Sequence, residues 1–156
     1  MKAIEPVRKE LLVQASQERC FRMFTRGMGK WWPKDHHIGQ APLTNVIVEE
    51  HVGGRWYSTH EDGSETQTGK VLLWEPVERV VLTWQISSSW KFDPSLVTEV
   101  ELRFVKVGEK STRVELEHRK LEAFGEAADA MHTMFSGDGA WVRTLRTFAD
   151  AIEEKA

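Results

Sequence analysis

Residues 52–84 read VGGRWYSTHEDGSETQTGKVLLWEPVERVVLTW, and their punctuation decides the fold. The paired glycines Gly53-Gly54 open a strand that carries Trp56 and runs to His60. Asp62-Gly63 then supplies a hairpin turn, because glycine accepts the positive φ such turns require. A returning strand, Thr66 to Trp74, ends at Glu75-Pro76, and a third, Glu78 to Ile86, alternates Val80, Leu82 and Trp84. Three indoles on consecutive short strands (Trp56, Trp74 and Trp84) are expected to be buried together or to face an apolar guest. A curved antiparallel sheet with a concave aromatic side is the structure this stretch predicts.

Working outward, Ile4 to Val13 reads as a strand. Ser16 is a helix N-cap, with Arg19 rather than Glu at the capping-box position. Cys20, Phe21 and Phe24 form the apolar stripe of that helix. A second short helix within Met28 to Trp32 is stopped by Pro33. Of the adjacent Trp31 and Trp32, one is expected to plug the core and the other to lie on the surface, because neighbouring helical residues do not share a face; the alternative is that they gate the mouth of a cavity. Lys34 to Thr44 reads as a loop and Val46 to His51 as a short strand.

Beyond the central stretch, Thr98 to Val107 and Ser111 to Arg119 alternate apolar and charged residues, as strands wetted on one face do. An alanine-rich helix is expected over Glu122 to Phe135. After Ser136-Gly137, Asp138 is placed to cap a final helix with Trp141, Leu145, Phe148 and Ile152 on one stripe.

The 156 residues are expected to form one domain, 1–156, large enough for a sizeable core. A net charge of −3, with both signs interspersed, points away from nucleic acid and anionic membrane. The single cysteine, Cys20, excludes an internal disulfide and reads as a buried packing thiol. No signal-peptide core and no membrane-length apolar run is visible, so a soluble, cytoplasmic protein is expected.

The matching pieces spread over nearly the whole chain: Phe24 with Trp31-Trp32-Pro33, Gly53-Gly54-Arg55-Trp56, Asp62-Gly63, Gly69-Lys70-Val71, Glu75-Pro76 with Arg79-Val80, Thr83-Trp84, Thr98-Glu99-Val100, His118, and Gly139-Ala140-Trp141. In this order they resemble the family of activator-of-heat-shock-chaperone-ATPase homologues, within the START-like, birch-pollen-allergen-like (SRPBCC) superfamily. The resemblance implies an α+β helix-grip fold, in which a curved antiparallel sheet of about seven strands wraps around a long C-terminal helix. It also implies a cavity between the two. The eukaryotic chaperone activators carry a separate N-terminal docking domain, for which these residues leave no room. A chaperone partner therefore stands behind a small-molecule ligand.

On this basis the expected cavity wall comprises Trp56, Leu82, Trp84, Phe104, Leu116 and His118 from the sheet, and Trp141, Leu145 and Phe148 from the terminal helix. The expected ligand is small and hydrophobic or amphipathic, lipid-like or polycyclic aromatic, with His118 or Tyr57 orienting it. The alternatives are a cyclase- or aromatase-type enzyme using His118 as general acid or base, and a chaperone-interacting module. His118 can equally be a hydrogen-bonded structural residue. No cofactor is expected, and no metal either, since His36-His37, His51, His60 and His132 lack ligand-like spacing. Phosphate-loop and nucleophile-elbow motifs are absent.

Overall fold

Seven strands pair antiparallel in the order β1-β7-β6-β5-β4-β3-β2, so every neighbour but β1 is also a neighbour in sequence. The computed structural model describes residues 4–153. The strands are β1 (Val7–Val13), β2 (Leu43–Val48), β3 (Arg55–His60), β4 (Glu65–Glu75), β5 (Arg79–Trp84), β6 (Thr98–Gly108) and β7 (Ser111–Arg119). Two short helices, α1 (Gln17–Thr25) and α2 (Met28–Trp31), follow β1. Two more, α3 (Ala128–Ser136) and α4 (Arg143–Glu153), follow β7. The sheet curls, helped by register shifts between β2 and β3, β3 and β4, and β4 and β5. This is the α+β helix-grip architecture expected from the resemblance.

Local chemistry explains most element ends. Ser16 caps α1, its Oγ accepting the Arg19 N–H at 3.2 Å. Gly63 takes φ +86 in the β3–β4 hairpin, and the Asp62 carboxylate accepts the Ser64 N–H at 2.9 Å. Gly69 sits where β4 crosses β5 so closely that a Cβ would lie 1.9 Å from the Thr83 carbonyl oxygen. No side chain fits there.

Several expected boundaries move. β1 starts at Val7 rather than Ile4, directly after Pro6, which has no N–H to give the ladder. β2 lies earlier than expected, because 49–54 form a turn in which the Gly54 N–H reaches the His51 carbonyl and Gly53 adopts φ +88. The continuous helix expected over Glu122 to Phe135 is split. Gly125, at φ 64 and ψ −127, breaks the 3₁₀ segment Leu121–Ala127 internally, and regular α3 begins only at Ala128.

The terminal helix also differs. Gly137 is extended, the Asp138 side chain makes no capping bond, and Ala140 departs from helical angles. A wide turn, Asp138–Val142, thus carries Trp141 ahead of α4. The far end of α4 is tied back by Arg19, whose guanidinium donates to the Ile152 carbonyl at 2.9 Å.

The three strand indoles do not gather at one place. Trp56 and Trp84 meet at 5.9 Å, whereas Trp74 packs on Phe21 at 5.1 Å. Trp74 lies five residues along β4 from Gly69, the partner of Trp56, a distance of roughly 16 Å on an extended chain.

Candidate functional site

The concave side of the sheet has a solid end and a hollow end. At the solid end Phe21, Phe24, Phe104 and Phe148 pack ring edge to ring face, with centroids 5.2–5.8 Å apart and Trp31 joining at 4.9 Å from Phe24. Each such pair adds about 0.5–1.5 kcal/mol beyond simple burial. The spacing of Phe21 and Phe24 on α1 delivers these rings opposite the inward positions of β6. Phe104 and Phe148, expected in a cavity wall, are therefore enclosed in filled core. Leu82, Leu116 and Leu145 are buried too and do not border the hollow. Their alternation and helical stripe place them inward, but facing side chains occupy the space.

At the other end lies a hollow of about 480 Å³, within the range of small-molecule sites. Trp84, at the end of β5, forms its floor together with Trp141 from the wide turn and Phe135 from α3. The three rings contact one another at 5.6–6.4 Å. Trp32 and Ile38 border it from the loop after α2, and Ile86 and Trp90 from the β5–β6 connection. Trp90 is half exposed and holds φ 62, a left-handed conformation unusual for a bulky residue.

Trp31 and Trp32 are both buried, contrary to the expectation that one would lie outside. Trp32 has already left the helix, at φ −55 and ψ 132, because the following proline disfavours the helical region. The helical rule for adjacent residues thus no longer applies. Trp31 faces the solid end and Trp32 the hollow.

The rim is polar. Arg143 makes a two-pronged ion pair with Asp35 at 2.9 and 3.0 Å, and donates to His36 Nε2 at 3.3 Å. This contact leaves the His36 proton on Nδ1, while the His36 carbonyl accepts the Trp32 indole N–H at 2.8 Å. Burial lowers the His36 pKa below its ordinary value, against the opposing pull of Asp35. His37, lowered by burial and by nearby His60, accepts the Gly39 N–H. Both shifts favour the neutral form of the rim imidazoles. Among the described residues no cluster of three His, Cys, Asp or Glu side chains is arranged to hold a metal.

His118 lies behind this wall rather than in it. It is fully buried, and its Nδ1 accepts the Trp141 indole N–H at 3.1 Å. The Nε2–H is therefore the donor to Thr98 Oγ1 at 2.9 Å, and the Thr98 hydroxyl in turn donates a hydrogen bond to the Trp84 carbonyl at 2.8 Å. Burial depresses the pKa to about 3. A neutral ring with both nitrogens engaged and no opening onto the hollow is a structural connector. Tyr57, the other expected orienting group, faces outward, where the Arg55 guanidinium covers its ring at 3.9 Å.

Below the hollow a recess of about 20 Å³ is bordered by Trp56 and Trp84 and by the hydroxyl residues Ser58, Thr66 and Thr68. The indole N–H groups of Trp56 and Trp84 are enclosed and have no acceptor in the protein. Of the nine residues expected in the wall, then, Trp84 and Trp141 border the hollow and Trp56 its recess. Sequence reading missed Trp90, Phe135 and the Asp35–Arg143 pair, and offered Trp32 only as an alternative gate to the cavity mouth. The Trp-Pro step was the available signal for Trp32.

A second depression, of about 340 Å³, lies on the convex face among Arg8, Lys9, Glu10, Glu101 and Arg103. Several of its charges pair with one another, as in Arg8–Glu117 at 3.1 Å and Arg103–Glu101 at 2.7 Å. None of the described helices is long and apolar enough to cross a membrane.

Comparison with known proteins agrees with this geometry. The family described as activator of Hsp90 ATPase homolog 1-like protein matches residues 14–153. An anthrahydroquino-gamma-pyrone synthase, Txn09, solved in complex with SUM, is 37% identical, with 96% of this chain and 99% of that one covered at TM-score 0.67. The self-sacrificing resistance protein CalC from Micromonospora echinospora is 30% identical, with 96% and 94% covered at TM-score 0.70. The Aha1 dimer from Colwellia psychrerythraea, at 19% identity, 96% and 97% coverage and TM-score 0.62, shares the fold. No curated protein matches significantly. The chain belongs to the activator of Hsp90 ATPase homolog 1-like family.

Proposed function

We propose that this protein binds a flat, polycyclic aromatic small molecule in the hollow between the sheet and the terminal helical segment. The carrying observation is the wall: four indoles, Trp32, Trp84, Trp90 and Trp141, together with Phe135, around about 480 Å³. Rigid ring faces suit a rigid flat guest, which loses little conformational freedom on binding, better than a flexible acyl chain. The relatives support the reading, since one is a synthase of an anthrahydroquinone-pyrone compound.

Tryptophan fluorescence and thermal melts against matched panels of polycyclic aromatics and fatty acids test it. Quenching together with a raised melting temperature for the aromatics is the expected result. A response to fatty acids alone, or to neither panel, overturns it.

A second reading, ring closure of a substrate enclosed in the same hollow, is favoured by the synthase relative. Acid or base chemistry would then fall to His36 or His37 on the rim, not to His118. Product formation abolished by His36→Gln in a normally folded variant would support it; turnover independent of both histidines would remove it.

A further inference from the structure

We infer that the recess under the hollow receives one hydrogen-bond-accepting oxygen of the bound molecule, so that the preferred ligand is an aromatic carbonyl compound rather than a hydrocarbon. The inference rests on the reading of the hollow given above. Two buried indole donors, Trp56 Nε1–H and Trp84 Nε1–H, have no acceptor in the protein, although enclosed donors are almost always paired. Their rings stand 5.9 Å apart and border the same recess. Other enclosed indoles of the chain are satisfied: Trp31 donates to the Met23 carbonyl, Trp32 to the His36 carbonyl and Trp141 to His118. The two exceptions, Trp56 and Trp84, both border the recess.

Size points the same way. About 20 Å³ is too little for a ring and enough for one oxygen atom. Recess and hollow share the walls Trp32, Ile38, Trp84 and Ile86, so a flat guest lying in the hollow can project an exocyclic oxygen downward. An sp² carbonyl oxygen has two lone pairs and can accept from both indoles at once. A hydrocarbon would leave both donors unmet, at the cost that a buried unpaired donor carries.

The test uses 9-fluorenone and fluorene, which share ring outline and differ at one carbonyl. Affinity is measured for the full-length chain, with Nε1–H resonances followed by ¹⁵N–¹H correlation spectra of tryptophan-labelled protein. Fluorenone is expected to bind roughly tenfold more tightly than fluorene, as one or two hydrogen bonds of ordinary net strength allow. The Trp56 and Trp84 Nε1–H signals should move downfield with fluorenone and not with fluorene. Trp84→Phe, which keeps an aromatic ring and deletes the N–H, should collapse most of the difference. Trp56→Phe serves the same end if Trp84→Phe does not fold.

Equal affinity for the two compounds in the wild-type chain overturns the inference, as would happen if the recess keeps a water in both complexes. A preference that survives in both variants overturns it as well. If neither compound binds, the reading of the hollow fails first; tight fluorene binding with no fluorenone preference sinks the carbonyl assignment alone.

Discussion

The Trp141 indole N–H donates to Nδ1 of His118 at 3.1 Å, joining the turn before the terminal helix to the inner face of β7. The bond requires a neutral imidazole. Protonating Nδ1 would put two donors face to face in a fully enclosed site.

This makes His118 an acid-sensitive element of stability. Its pKa is about 3 in the folded chain against 6.5 when unfolded, so below pH 6.5 the unfolded state binds the extra proton. The penalty is absent above pH 6.5 and grows as pH falls toward about 3. At pH 4.5 it amounts to roughly 2–3 kcal/mol, from about 1.4 kcal/mol per pH unit. Urea melts at pH 7 and 4.5 should show this loss in the wild type and a smaller one in His118→Gln. Equal pH dependence in the two proteins would contradict it.

Trp90→Ala should weaken binding of a polycyclic aromatic about tenfold with little change in the melting temperature of the free protein. The ring borders the hollow yet is 50% exposed, so it adds contact area for a guest and little core packing. Titration by fluorescence of the remaining indoles reads the affinity.

Asp35→Asn should leave the urea midpoint almost unchanged, because the Asp35–Arg143 pair is largely exposed. The pair does link the loop after α2, where Asp35 borders the hollow, to the first residue of α4. Faster ligand release in stopped-flow experiments is the expected signature.

Gly69→Ala should destabilise the fold by about 1–3 kcal/mol, since backbone must shift to admit the methyl group. The obstacle is the Thr83 carbonyl oxygen at 1.9 Å rather than a movable side-chain tip. Chemical denaturation measures it.

How much of this was legible depends on the range of the interaction. Gly63 and Ser16 act on their own neighbours, and the β3–β4 hairpin and the start of α1 follow from them directly. Alternation along β5 and β7 correctly turns Trp84 and His118 inward. It does not say whether the facing space is filled. Phe104 is silenced as a wall residue by Phe21 and Phe24 from a distant helix, and His118 is sealed by Trp141, which is 23 residues away. Trp90 escaped notice because a polar, irregular connection gives no periodicity to read. Gly125 and Ala140 broke helices whose composition alone favoured continuity.

The division of the interior into a packed pole and an open pole has an evolutionary consequence. Substitutions at the half-exposed Trp90 can retune the proposed recognition while the phenylalanine cluster around Phe24 keeps the chain above its folding threshold. Descendants of one ancestral scaffold could thus diverge in cargo without first acquiring compensating mutations, a latitude that a uniformly filled barrel would deny them.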